Sequence, residues 1–160
     1  MAKLLARRFE RGVYVPADHF FEFIQAGYIE PWKPESREQN ELVMQLASRV
    51  AREYARAGYT TILEGIVLPK WFLDPVRSTL AEAGRPVSYA VLRAPLATCV
   101  ERAATRELKP FDDAEVIESI WNQFADLGDW EPHAIEVGEM APEEISRALE
   151  SRLEAGDLRC

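Results

Sequence analysis

Short β-rich runs alternate along this chain with apolar patterns of helical period, and that alternation limits the fold more than any other feature. "VYVPAD" (13–18), "YTTILEGIV" (59–67), "PVSYAVLR" (86–93) and "HAIEVG" (133–138) are the strand candidates. Between them, apolar residues recur at helical spacing, as in Ala2, Leu5, Ala6 and Phe9 before Gly12. A second helix follows Ser36, with Leu42, Val43, Leu46, Val50 and Tyr54 in helical register and Gly58 at its end. Ser36 and Gln39 have the spacing of a capping box. Further helices are predicted over 70–83, from Pro95 to about Arg106, over about 113–127, and from Pro142 onward. Strands separated by such helices predict an α/β fold, a parallel sheet covered by helices on both faces.

The 160 residues contain no linker, internal repeat or low-complexity tract, and read as a single domain over 1–160. The net charge of −8 comes without a basic run, which argues against nucleic-acid and anionic-membrane partners. No apolar stretch reaches the roughly 20 residues of a membrane span. Cys99 and Cys160 are too few and too far apart for a disulfide framework or metal cluster. These features predict a cytoplasmic setting.

Ligands of open parallel sheets bind beyond the carboxyl ends of the strands. There the sequence places Asp18 and His19 after the first strand, Glu64 near the end of the second, and Arg93 after the third. Glu64 interrupts a run expected to be buried on both faces, where a carboxylate needs a partner or a cation. A Mg²⁺ site is one reading and an exposed strand-end Glu is the other. Asp18, with His19 beside it, could serve a substrate hydroxyl as general base, although His19 suits a surface position equally well. Arg102 and Arg106, four apart on one helical face, either close over phosphates as part of a lid or face solvent. Residues 107–128 would form that lid and the helix after it. Trp32, between Pro31 and Pro34, is a candidate wall of a substrate pocket. Arg37 either joins an anionic site or is exposed, and Trp121 and Phe124 suit packing.

The stretches "VPADHFFEFIQAGYIEPWKPESREQN", "GYTTILEGIV", "PVSYAVLRAPLATCVERAATR" and "WNQFADLG" resemble, in matching order, the P-loop kinase-like AAA-type ATPases related to chloramphenicol phosphotransferase. The resemblance runs from Lys3 to about residue 150. It implies a P-loop NTPase fold like that of nucleotide kinases, ATP and Mg²⁺ as cofactors, and phosphoryl transfer to the hydroxyl of a small-molecule substrate. Carried over by position, it implies Asp18 as the acid at the acceptor, Glu64 at the Mg²⁺ position, and Arg102 and Arg106 as lid arginines. His19 stands where the family commonly has a second Asp.

The family opens with a strand and G-x-x-x-x-G-K-[ST], whose backbone N–H groups cradle phosphates. Here Met1 leads directly into "AKLLARRF", and Lys3 follows no glycine loop. The expectation is an N-terminally truncated form, lacking the first strand and the loop. One explanation is a start assigned at an internal GTG codon, with roughly 15–20 residues of strand and Walker-type loop upstream. Such a form is expected to bind nucleotide weakly and to have little or no kinase activity. A non-catalytic binding or regulatory protein of the same fold is the alternative. Loss of a central strand also predicts a rearranged sheet or a homodimer through exposed sheet edges.

Overall fold

A computed structural model describes residues 1–105 and 111–160. Its elements are α1 (Ala2–Ala6), β1 (Gly12–Pro16), α2 (Arg37–Arg56), β2 (Thr60–Glu64), α3 (Leu73–Ala81), β3 (Val91–Arg93), α4 (Leu96–Ala104), α5 (Ala114–Gln123), β4 (Ala134–Glu136) and α6 (Pro142–Ala155). Tight 3₁₀ turns cover Ala17–Phe23, Pro34–Ser36 and Gly128–His133.

All strand ladders are parallel, as the alternation predicts, and they form two separate pairs, β1–β2 and β3–β4. Gly12 to Pro16 runs beside Thr60 to Glu64, and Val91 to Arg93 beside Ala134 to Glu136. The predicted strand over 86–93 contracts to its last three residues. Ahead of it, Ser88 bridges antiparallel to Arg159 near the C-terminus.

Neighbouring side chains on a strand point to opposite faces, and β2 uses both. Leu63 joins a core of Val15, Ala17, Met44, Ala47, Ala51, Phe72 and Val76, which places α2 and α3 on that face. Ile62 joins the other core, built on Leu5, Ile145 and Leu149, which places α1 and α6 opposite. Leu92 and Ile135 pack into this second core, so it ties the two strand pairs together. Gly12 lets the chain turn tightly out of α1. A Cβ there would lie 1.7 Å from the Ala6 carbonyl oxygen.

One local expectation is corrected. Ser36 makes no capping bond to α2; its hydroxyl donates to the carbonyls of Pro31 and Lys33. Gln39 likewise turns back to the preceding loop, donating to the Ile29 carbonyl at 2.6 Å and accepting its N–H at 2.9 Å. The helix predicted after Ser36 is α2, and helical spacing alone did not say which of its faces is buried. Its buried face is Val43, Met44, Ala47, Ser48 and Ala51, small enough to lie close to the strands, while Leu42, Leu46, Val50 and Tyr54 are exposed.

Candidate functional site

The register of β1 and β2 puts Pro16 opposite Glu64, so both strands end at the same level. Ala17 is buried immediately beyond. Gly65 follows Glu64, and a Cβ on it would lie 3.0 Å from the Ala17 Cβ, a tight approach that a glycine eases. Asp18 and His19 then emerge onto the surface on the first turn after β1.

Tyr14 completes the arrangement. It lies diagonally across the ladder from Glu64, and its hydroxyl donates to the Glu64 carboxylate. Its phenol is held well above the ordinary tyrosine range, first by burial, then by the bond to Glu64 and that residue's charge, and last by the charge of Asp18. Asp18, Glu64 and Tyr14 thus form one electrostatic cluster. Glu64 itself is exposed, as the strand-end reading has it, while the run around it is only partly buried and not buried on both faces as expected: β2 ends here and its last side chain reaches solvent. Sequence reasoning missed Tyr14. Its alternation with Pro16 along β1 was visible, but its partner 50 positions away required the strand register.

The loop that carries Trp32 is held by side chains from the start of α2. Besides the Gln39 and Ser36 bonds, the Asn40 amide donates to the Pro31 carbonyl at 2.8 Å and to Ser36 Oγ at 2.9 Å. Trp32 is thereby fixed on a braced loop, half exposed, with its ring 5.0 Å from that of Phe111. Arg37 is exposed and pairs with Glu41 one turn along its own helix at 2.9 Å.

Arg93 and Arg102 are already engaged by acceptors of the protein itself. Arg93 is enclosed by acceptors: Nε bonds Glu136, Nη1 and Nη2 bond Glu131, and Nη1 also reaches the carbonyls of Phe124 and Ala125. Glu131 in turn accepts the Leu127 N–H. Arg102 on α4 donates to the Gly138 carbonyl at 2.7 Å. Arg106 lies outside the described residues, as does 107–110 at the start of the expected lid. Trp121 donates to the Ala94 carbonyl, and His133 is buried against Tyr89 and Trp130, so both serve packing.

Two carboxylates at adjacent strand ends suit a divalent cation that keeps most of its ligands from water and phosphate, the habit of Mg²⁺. They do not make a protein cage, since no group of three or more His, Cys, Asp or Glu is placed to hold a metal among the described residues. Open clefts of about 430 and 290 Å³ occur elsewhere, one along the C-terminal half of α2 and one between Pro69–Lys70 and Leu127–Trp130. Neither is lined by Asp18 or Glu64. The functional assignment therefore rests on the chemistry of the strand ends rather than on cavity size.

No curated protein matches the chain. A family model described as an AAA domain matches residues 4–127, spanning β1 through α5 and both members of the acid pair. The parallel strands flanked by helices agree with that match, and the chain belongs to this AAA domain family, a P-loop kinase-like group.

Proposed function

We propose that the protein belongs, within that family, with the phosphotransferases related to chloramphenicol phosphotransferase, and that its fold serves ATP-dependent phosphorylation of a small-molecule hydroxyl. The observation that carries this reading is the placement of Asp18 and Glu64 at the paired ends of β1 and β2. Asp18, exposed and one residue beyond the buried Ala17, would accept the proton of an attacking hydroxyl. Glu64, with its second oxygen free of Tyr14, would hold Mg²⁺, which supplies charge neutralisation to the transferring phosphoryl group. Trp32, with His19 on the turn after β1, would border the acceptor. Arg102 and Arg106 would supply positive charge from α4 and the segment after it.

A second reading has its own support. The 160 residues contain no G-x-x-x-x-G-K-[ST], and Arg93 and Arg102 already have protein acceptors. A chain acting alone with those cations engaged would be a binding or regulatory module. We favour the phosphotransferase, whose phosphates would need a glycine-rich cradle that these 160 residues do not contain.

Calorimetry separates the two. The 160-residue chain should bind ATP·Mg²⁺ with Kd above about 1 mM. A form extended by the upstream in-frame codons should bind it at least about tenfold more tightly, and Asp18→Asn in that form should abolish phosphoryl transfer while sparing ATP binding. Tight binding by the 160-residue chain would overturn the need for the cradle. An extended form that binds no more tightly would favour the regulatory reading.

A further inference from the structure

Tyr14 touches Glu64 at the strand ends and has no part in the phosphoryl transfer proposed above. Its place follows from the register. Tyr14 stands opposite Ile62 in the β1–β2 ladder, and alternate residues of a strand share a face, so Tyr14, Ile62 and Glu64 lie on the same side. Ile62 packs into the core beneath α1 and α6. Val13 and Val15, the neighbours of Tyr14, pack instead into the core beneath α2 and α3. Packing on both faces therefore sets the direction of Tyr14 independently of its bond to Glu64. A tyrosine has a rigid ring and few side-chain torsions, so it delivers its hydroxyl to one place.

Glu64 is the reverse case. It is exposed at the end of its strand, and its long side chain alone would sample several rotamers. The Tyr14 hydroxyl donates to Glu64 Oε2 and leaves Oε1 without a protein partner among the described residues. That asymmetry decides what the carboxylate offers a cation. Ca²⁺ readily takes both oxygens of one carboxylate, whereas Mg²⁺ keeps a tight octahedron of single oxygens. A cation gripping both Glu64 oxygens draws on the oxygen that accepts the phenol and weakens that bond. A cation on Oε1 alone leaves it whole. Hydrogen bonds to a charged acceptor are strong enough for the difference to be felt.

We propose that Tyr14 is a positioning residue that anchors one oxygen of Glu64, so that the site binds a divalent cation through the other and its choice tilts toward Mg²⁺ and away from Ca²⁺. The proposal rests on Glu64 as the Mg²⁺ ligand and adds to that role a control over which metal is taken.

Amide NMR titrations of the 160-residue chain with MgCl₂ and with CaCl₂ test it, since chemical shifts report the weak, millimolar binding expected of two carboxylates. In the wild type both ions should shift the amides of Asp18 and Gly65, and Glu64→Gln should weaken Mg²⁺ by about threefold or more. Tyr14→Phe removes the hydroxyl alone. It should lower the ratio of the Ca²⁺ to the Mg²⁺ dissociation constant about three- to tenfold. In the Glu64→Gln background the same substitution should leave that ratio unchanged, because Tyr14 acts through Glu64. A purely structural tyrosine would weaken both ions alike. An unchanged ratio in Tyr14→Phe, or an equal fall in both backgrounds, would thus overturn the proposal while leaving Glu64 as a ligand. Amides that Mg²⁺ does not move, or moves alike in Glu64→Gln, would overturn the Mg²⁺ role of Glu64 and this proposal with it.

Discussion

The two strand pairs end on charged residues in opposite conditions. At the end of β3 and β4, Arg93 spends its guanidinium on Glu136, Glu131 and two backbone carbonyls, joining the strands to the turn after α5. At the end of β1 and β2, Glu64 accepts one hydroxyl and Asp18 stands in solvent. The first arrangement is a bracket, and the second leaves its acceptors open to solvent. A charged residue past a parallel strand therefore announces chemistry only when its hydrogen-bonding capacity is left over.

The largest effect separating the two ends is expected at Arg93. Arg93→Ala removes the fork that holds two carboxylates and two carbonyls together. The carboxylates remain partly solvated, which trims the loss, so about 2–3 kcal/mol is expected. Thermal unfolding should show this as a fall in Tm of roughly 5–10 °C. Glu64→Gln, at the open end, should stay within about 0.5 kcal/mol. Equal losses at both positions would erase the distinction.

A smaller loss is expected at the Trp32 loop. Gln39 holds Ile29 by two hydrogen bonds, and with Ser36 and Asn40 keeps the Trp32 loop in place. Gln39→Ala should cost about 1 kcal/mol and speed hydrogen exchange at the Ile29 amide. Exchange at that amide unchanged from wild type would mean that the loop holds its shape without the clamp.

Acid should distinguish the ends next. The backbone N–H of Leu127, then Arg93, holds the Glu131 carboxyl below its ordinary range. A depressed carboxyl adds stability that is present above its unfolded pKa of about 4.3 and is lost as pH falls through the folded value. Denaturant midpoints measured from pH 5 downward should therefore fall less steeply in Glu131→Gln than in the wild type.

Much of this was legible in the sequence. Periodicity located the helices and four β-rich runs, because both signals are local. The positions of Asp18 and Glu64 followed from the ends of those runs. What periodicity could not supply was choice of face. On α2 the larger apolar residues keep helical spacing, yet Ala47 and Ala51 are the ones that let the helix approach the strands. Ser36 and Gln39 had capping-box spacing, but the loop between two prolines offered them carbonyls closer at hand. Arg93 looked like part of the site because its acceptors lie 31 to 43 positions away.

The least perturbing test probes the open end directly. The Tyr14 phenol is raised by burial and by the carboxylates of Glu64 and Asp18, whereas Tyr89, pushed up to about 12, is raised first by burial and then by Cys160. Both favour the protonated phenol in the folded state. Each therefore contributes stability that is present below the unfolded pKa of about 10 and declines as pH rises toward the folded value. Ultraviolet titration should show Tyr14 and Tyr89 ionising late. Glu64→Gln leaves an acceptor in place but removes its charge, so Tyr14 should ionise earlier while Tyr89 is unmoved. Asp18→Asn should shift Tyr14 the same way by less, because its charge is the weakest of the causes. Arg93→Ala should move neither. A Tyr14 that ignores both acid substitutions would mean that the two carboxylates do not share one field at the strand ends, and the acid pair would lose its standing as a site.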